Sequence, residues 1–174
     1  MKKLSCTMLL FALSLNCLAE NEQRHHDAHE HGTTQMNLAI DVNQVFIELE
    51  SPATNIVGFE HTPKNAAQKQ AVQQAMQILK QGDKLFQFNS EARCSLIEAE
   101  VDSELAHDEK HESAKHSEFE AAYTFRCKTI ASIKYVDVNL FERFSNTESV
   151  QVQMITSTMQ GAVKLDHHHN RIEF

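Results

Sequence analysis

The alternation of apolar residues on either side of Asn43-Gln44 constrains the fold more than any other feature. Leu38, Ile40 and Val42 share one parity before that pair, and Val45, Ile47 and Leu49 share another after it. A period of two puts each set on one face of a strand, so the segment reads as a β-hairpin with one buried face. A chain that commits a face in this way must cover it with a second layer.

The material for that layer follows. Ser51-Pro52 stops the second strand, and Ile56-Val57-Gly58-Phe59 reads as a short apolar connection. Thr62-Pro63 predicts a helix start, with Thr62 as cap and Pro63 at the first helical position. Ala67, Ala71, Ala75, Ile78 and Leu79 give it one apolar stripe, and Gly82 ends it. Strand-like stretches follow at 85–88, 94–101, 119–127, 135–141, 150–156 and 162–165. In the third of these Phe119, Ala121, Tyr123, Phe125 and Cys127 share a parity, so Cys127 faces the core. The expectation is an α+β fold, an antiparallel β-sheet or sandwich with one main helix.

Segments that cannot enter a core frame this domain. The opening MKKLSCTMLLFALSLNCLAE has a basic start and an apolar run from Met8 to Leu18, which reads as a secretory signal peptide cut after Ala19. Lipidation at Cys17 is disfavoured because Asn16 stands where a lipobox wants a small residue. Residues 20–32 read as a His-rich arm, and 33–174 as a single metal-binding domain. Within it, 102–118 is almost wholly charged or small and polar, so it reads as a mobile loop. Cutting after Ala19 leaves 155 residues and removes Lys2 and Lys3, so the formal charge moves from −8 to −10. Such a surface repels nucleic acid and anionic lipid and attracts cations. No second long apolar run argues for membrane insertion of the mature chain.

The mature chain keeps Cys94 and Cys127. In an exported chain an even pair reads as a disulfide, with a thiolate metal site as the competing reading.

Ten of the eleven histidines are clustered: His25, His26, His29 and His31; His107, His111 and His116; and His167, His168 and His169. His61 stands alone beside Glu60. Imidazole nitrogen and carboxylate oxygen are the ligands zinc takes in tetrahedral sites. His29 and His31 share a face of an extended chain, and His107 and His111 share a face of a helix. His25 and His26 are the weaker candidates. Local clusters of this kind give fast-exchanging sites, whereas one tight site needs ligands from distant segments. His107-Asp-Glu-Lys-His111 has the spacing of a zinc-peptidase helix, but Asp108 stands where that chemistry uses Glu and the flanks lack an apolar face. The residues therefore point to a zinc-binding protein and not to an enzyme. A metal-independent envelope adaptor and, behind it, a zinc hydrolase are the rival readings. Copper(II) or nickel(II) also suits imidazole.

The segments HEHGTTQMNLAIDVNQVFIELESPATNIVGFEH, FEAAYTFRC, VDVNLFERF and VQVQMITSTMQGAVKL resemble the ZrgA-type family. The resemblance covers nearly all of the mature chain, with SPATNIVGFEH and LFERF its distinctive parts. It implies a periplasmic zinc-binding protein that holds zinc or passes it to an uptake transporter or its periplasmic binding protein under zinc limitation. The family's HxHG element falls on His29, His31 and Gly32, and its GFEH element on Gly58, Phe59, Glu60 and His61. Ser145 departs from the pattern, since a proline often follows LFERF.

Overall fold

A computed structural model describes residues 30–107 and 117–174. The hairpin forms, as β1 (Thr33–Asp41) and β2 (Gln44–Pro52). Its turn is Val42-Asn43, because Asp41 pairs with Gln44. The expected turn at Asn43-Gln44 is thus displaced. Registers that differ by two residues keep the same faces buried, so alternation alone does not choose between them. The observed register sets Met36 opposite Leu49, and both are buried. Val42, expected on the inner face, sits in the turn with φ +50° and is 82% exposed.

Pro52 leads into a short helix, α1 (Ala53–Val57), where a connection was expected. Gly58 ends it in the left-handed region at φ +83°, its N–H donating to Thr54 O at 3.1 Å. The main helix, α2 (Ala66–Leu79), begins after Asn65 and not at Thr62-Pro63. Asn65 Oδ1 accepts from Gln68 N at 2.9 Å, while Gln68 Oε1 accepts from Lys64 N at 2.8 Å. The Asn65 side chain thus caps the first turn and Gln68 reaches back to the residue before the cap, which Thr62 does not do. Val72, Ala75 and Leu79 are the buried positions of α2, with Ala67 exposed.

A one-turn helix α3 (Gly82–Leu85) leads to β3 (Phe86–Phe88). Then come β4 (Cys94–Ser103), β5 (Glu118–Cys127) and β6 (Tyr135–Val138). Helix α4 (Leu140–Arg143) replaces the end of the strand expected through Phe141. The chain closes with β7 (Ser149–Ile155), β8 (Gln160–Asp166) and β9 (Arg171–Glu173). Strands β4 and β5 also reach into the segment expected as loop, so Asp102, Ser103 and Glu118 are strand residues.

Six strands form one sheet in the order β4-β5-β2-β1-β7-β8, and β3-β6-β9 form a second. All neighbours are antiparallel except β1 and β7, which run parallel. The core lies between the inner face of the large sheet and the layer made by α2 and the small sheet. Phe86 packs edge-on against Tyr123 and Phe125, and Phe88 against Phe125. Tyr123 reaches α2, donating its hydroxyl to Leu79 O at 2.9 Å. A Cβ on Gly82 would come within 2.5 Å of the Tyr123 ring, so only glycine admits this approach. The fold is α+β. Cys94 and Cys127 stand opposite each other across β4 and β5 and are joined by a disulfide. Among the described residues no helix is long and apolar enough to cross a membrane.

Candidate metal centre

Strand register gathers the histidine-bearing segments. Thr33, Ser149 and Asp166 are successive partners across β1, β7 and β8. Ser51, Phe119 and Ser103 are successive partners across β2, β5 and β4, and Thr34 Oγ1 meets Ser51 Oγ at 2.7 Å. One end of the six-stranded sheet therefore carries His31 before β1, Glu60 and His61 after α1, His107 after β4, and His167–His169 after β8. The described residues that flank 108–116, His107 and Ser117, also lie at that edge. His111 and His116, and His25, His26 and His29 with the predicted signal peptide and residues 20–29 of the arm, lie outside the described residues.

His31, before β1, pairs with Glu60, after α1. His31 Nε2 lies 3.1 Å from Glu60 Oε1, the imidazole largely exposed and the carboxylate mostly buried. Thr54 Oγ1 donates to the same Glu60 oxygen at 3.2 Å. A carboxylate accepts, so a neutral His31 carries its proton on Nε2 and keeps the Nδ1 lone pair. Carboxylate-to-imidazole contacts of this kind fix the tautomer and raise the basicity of a metal-binding nitrogen. His61 is arranged similarly. Its Nδ1 faces Thr62 O at 3.0 Å, and since a carbonyl only accepts, Nε2 keeps its lone pair. Phe59 stacks on the ring at 5.1 Å between centroids.

A buried amide sets this geometry. Asn55, 1% exposed, accepts from Gly32 N at 2.8 Å and donates to Thr33 O at 3.0 Å. It thereby ties the residues after His31 to the helix that precedes Glu60. Gly32 adopts φ +83°, and a Cβ there would meet the Glu148 carboxylate at about 3.0 Å. Glu148 N and Ser149 N both donate to Gly32 O, at 2.7 and 3.0 Å. Asn146 Nδ2 donates to Thr54 O at 3.1 Å, bracing α1 from the other side. Asn55, Thr54, Asn146 and Glu148 were not singled out from the sequence. Asn and Thr with no histidine beside them give no metal signal, and Glu148 is far from the histidines along the chain.

The other histidines are held differently. His107 Nε2 meets Asp102 Oδ1 at 2.9 Å, and this hydrogen bond is the main reason the Asp102 carboxyl titrates below its ordinary range. In the turn after β8, Asp166 Oδ1 accepts from His168 N and His169 N, each at 2.8 Å. These two backbone bonds depress the Asp166 pKa, with the His169 ring 3.4 Å away adding to them. The His167 ring packs against Phe141 while the His169 ring faces Asp166, so these two imidazoles have different partners. Among the described residues no three histidine, cysteine or acidic side chains converge as a ready-made metal cage. Cys94 and Cys127 are bonded to each other, so the thiolate site drops out.

Among curated proteins none matches the chain in sequence. The family model described as "ZrgA family zinc uptake protein" matches residues 28–174, which takes in both His31-Gly32 and Gly58–His61. The chain belongs to the ZrgA family of zinc uptake proteins.

Proposed function

We propose that this protein is a periplasmic zinc carrier, which captures the ion through His31, Glu60 and His61 and passes it toward an uptake system without catalysing a reaction. The observation that carries the reading is the convergence of the histidine-bearing segments on one sheet end, with His31 already paired to Glu60 at 3.1 Å. Segments tethered to one edge raise one another's effective concentration, so an ion that leaves one imidazole meets another before it escapes. Half-formed, exposed ligand sets suit loading and release, whereas a closed four-ligand cage would retain the metal. His107, His111, His116 and His167–His169, with His25, His26 and His29 of the arm, serve as secondary ligands that exchange with the primary set. Other divalent transition ions that favour imidazole compete for the same nitrogens.

The test is zinc titration against a chromophoric chelator with full-length mature protein. Removing two of the three primary ligands (His31→Ala with Glu60→Ala) is expected to weaken the tightest site by about tenfold to a hundredfold, the scale seen when ligands or their supporting carboxylates are lost. Replacing His167–His169 should lower stoichiometry and leave the tightest affinity in place. Equal affinity in the His31/Glu60 double variant and the parent would overturn the assignment.

A further inference from the structure

The end of the sheet away from the histidines displays the molecule's exposed apolar side chains. Among the described residues the large exposed hydrophobics are Val42, Phe46, Ile97, Ile155 and Met159. Register brings all of them to one place. Phe46 pairs with Ala39, and Ala39 with Ile155, while Thr124 links Phe46 to the Ile97-Glu98 step of β4. The row crosses five strands on the outer face. Val42 and Met159 extend it from the turns at the same end, roughly 25 Å along the strands from Thr33.

Two of these side chains are held out against local preference. Val42 is a β-branched residue at φ +50°, where asparagine or glycine is the usual occupant of such a turn. Ile97 is turned to the surface by a bulge between Leu96 and Glu98. A bulge of this kind re-aims a side chain at the expense of ladder pairing. The platform is also rigid. The disulfide joins β4 to β5 here, and Cys127 N donates to Asn43 O at 2.9 Å.

Charge selects the partner. Beside the apolar row the same face carries Asp41, Glu48, Glu98 and Glu100, and the one cation on the adjoining strand positions is Arg126. An anionic lipid surface is repelled by such a face, and a second copy would bring carboxylate toward carboxylate. A protein with an apolar knob ringed by lysine or arginine matches both features.

We propose that this face, built on Val42, Phe46, Ile97 and Ile155, docks a basic protein partner and leaves the histidine-bearing end free. The inference does not depend on the zinc reading and survives its failure.

Site-specific photocrosslinking in the producing cell tests it, with p-benzoylphenylalanine placed at Phe46 and, as control, at Gln70 on the exposed side of α2. The expected result is a discrete protein adduct at Phe46 that Gln70 does not give. Its yield should fall about tenfold in Ile155→Asn or Glu48→Lys/Glu100→Lys, the scale of losing an interface anchor. It should also fall in about 0.5 M salt, which screens surface charge. Val42→Asn separates docking from folding. Asparagine tolerates the turn, so thermal stability should hold or rise while the adduct is lost. An adduct of twice the chain mass, a lipid adduct, or none beyond the control overturns the proposal. So does a yield indifferent to charge reversal, or one that falls only as folded protein is lost.

Discussion

At the residue scale, Asn55 decides how well the proposed site is assembled. Its amide serves two backbone groups at the start of β1, and it is buried. Asn55→Ala leaves the Gly32 N–H and the Thr33 carbonyl without that partner, at a cost of about 1–3 kcal/mol in unfolding free energy. Zinc affinity should fall with it, because His31 is no longer held opposite Glu60. Chemical denaturation and zinc titration on the same preparation check this. In a background that already carries His31→Ala, Asn55→Ala should cost stability but no further affinity. The histidines and Glu60 were legible in the sequence because zinc chemistry restricts the ligand types. Asn55 was not, because a buried amide is recognised by the backbone groups it reaches.

At the scale of elements, alternation located most of the strands, and it failed where local chemistry outweighed pattern. The hairpin turn lies one residue nearer β1, which shifts the register by two and sets Met36 opposite Leu49, a choice that alternation leaves open. Helix α2 starts at Asn65 because Asn65 caps its first turn and Gln68 reaches back to Lys64, a signal present in the sequence but masked by the more familiar Thr-Pro pair. Leu140–Arg143 turns helical after β6, where the apolar run alone reads as more strand. The cysteine pairing was legible from an even pair in a chain read as exported, and it closes β4 onto β5. Replacing both cysteines with alanine should lower stability by about 3–4 kcal/mol on the chain-entropy account. Urea denaturation under non-reducing conditions measures that loss. An unchanged midpoint would mean that the strand ladder alone holds β4 in place.

At the scale of the whole molecule, the parallel pairing of β1 with β7 brings the turn after β8 beside the start of β1. No local pattern announces that contact, so the gathering of histidine segments was not legible residue by residue. The same end carries an electrostatic strain. Burial first, then a hydrogen bond and charge repulsion from Glu50, with Glu120 and Glu104 adding to it, push the Glu118 carboxyl up to about 8. A carboxyl raised this far binds its proton more tightly folded than unfolded, so stability falls as pH rises from about 4.5 to 8. Glu118→Gln, neutral throughout, should flatten that slope and melt higher than the parent at pH 8, with little difference near pH 4.5. Thermal melts across that window read it out.

The account as a whole rests on imidazole nitrogens gathered at one sheet end offering zinc a better shell than water. Equilibrium dialysis of the untagged mature protein measures this directly. Zinc should be retained above the buffer level near pH 7.5 and released as pH falls through about 6.5, where protons take the same lone pairs. Protein that leaves the dialysis with no more zinc than the buffer, or that holds it equally at about pH 5, would contradict the account.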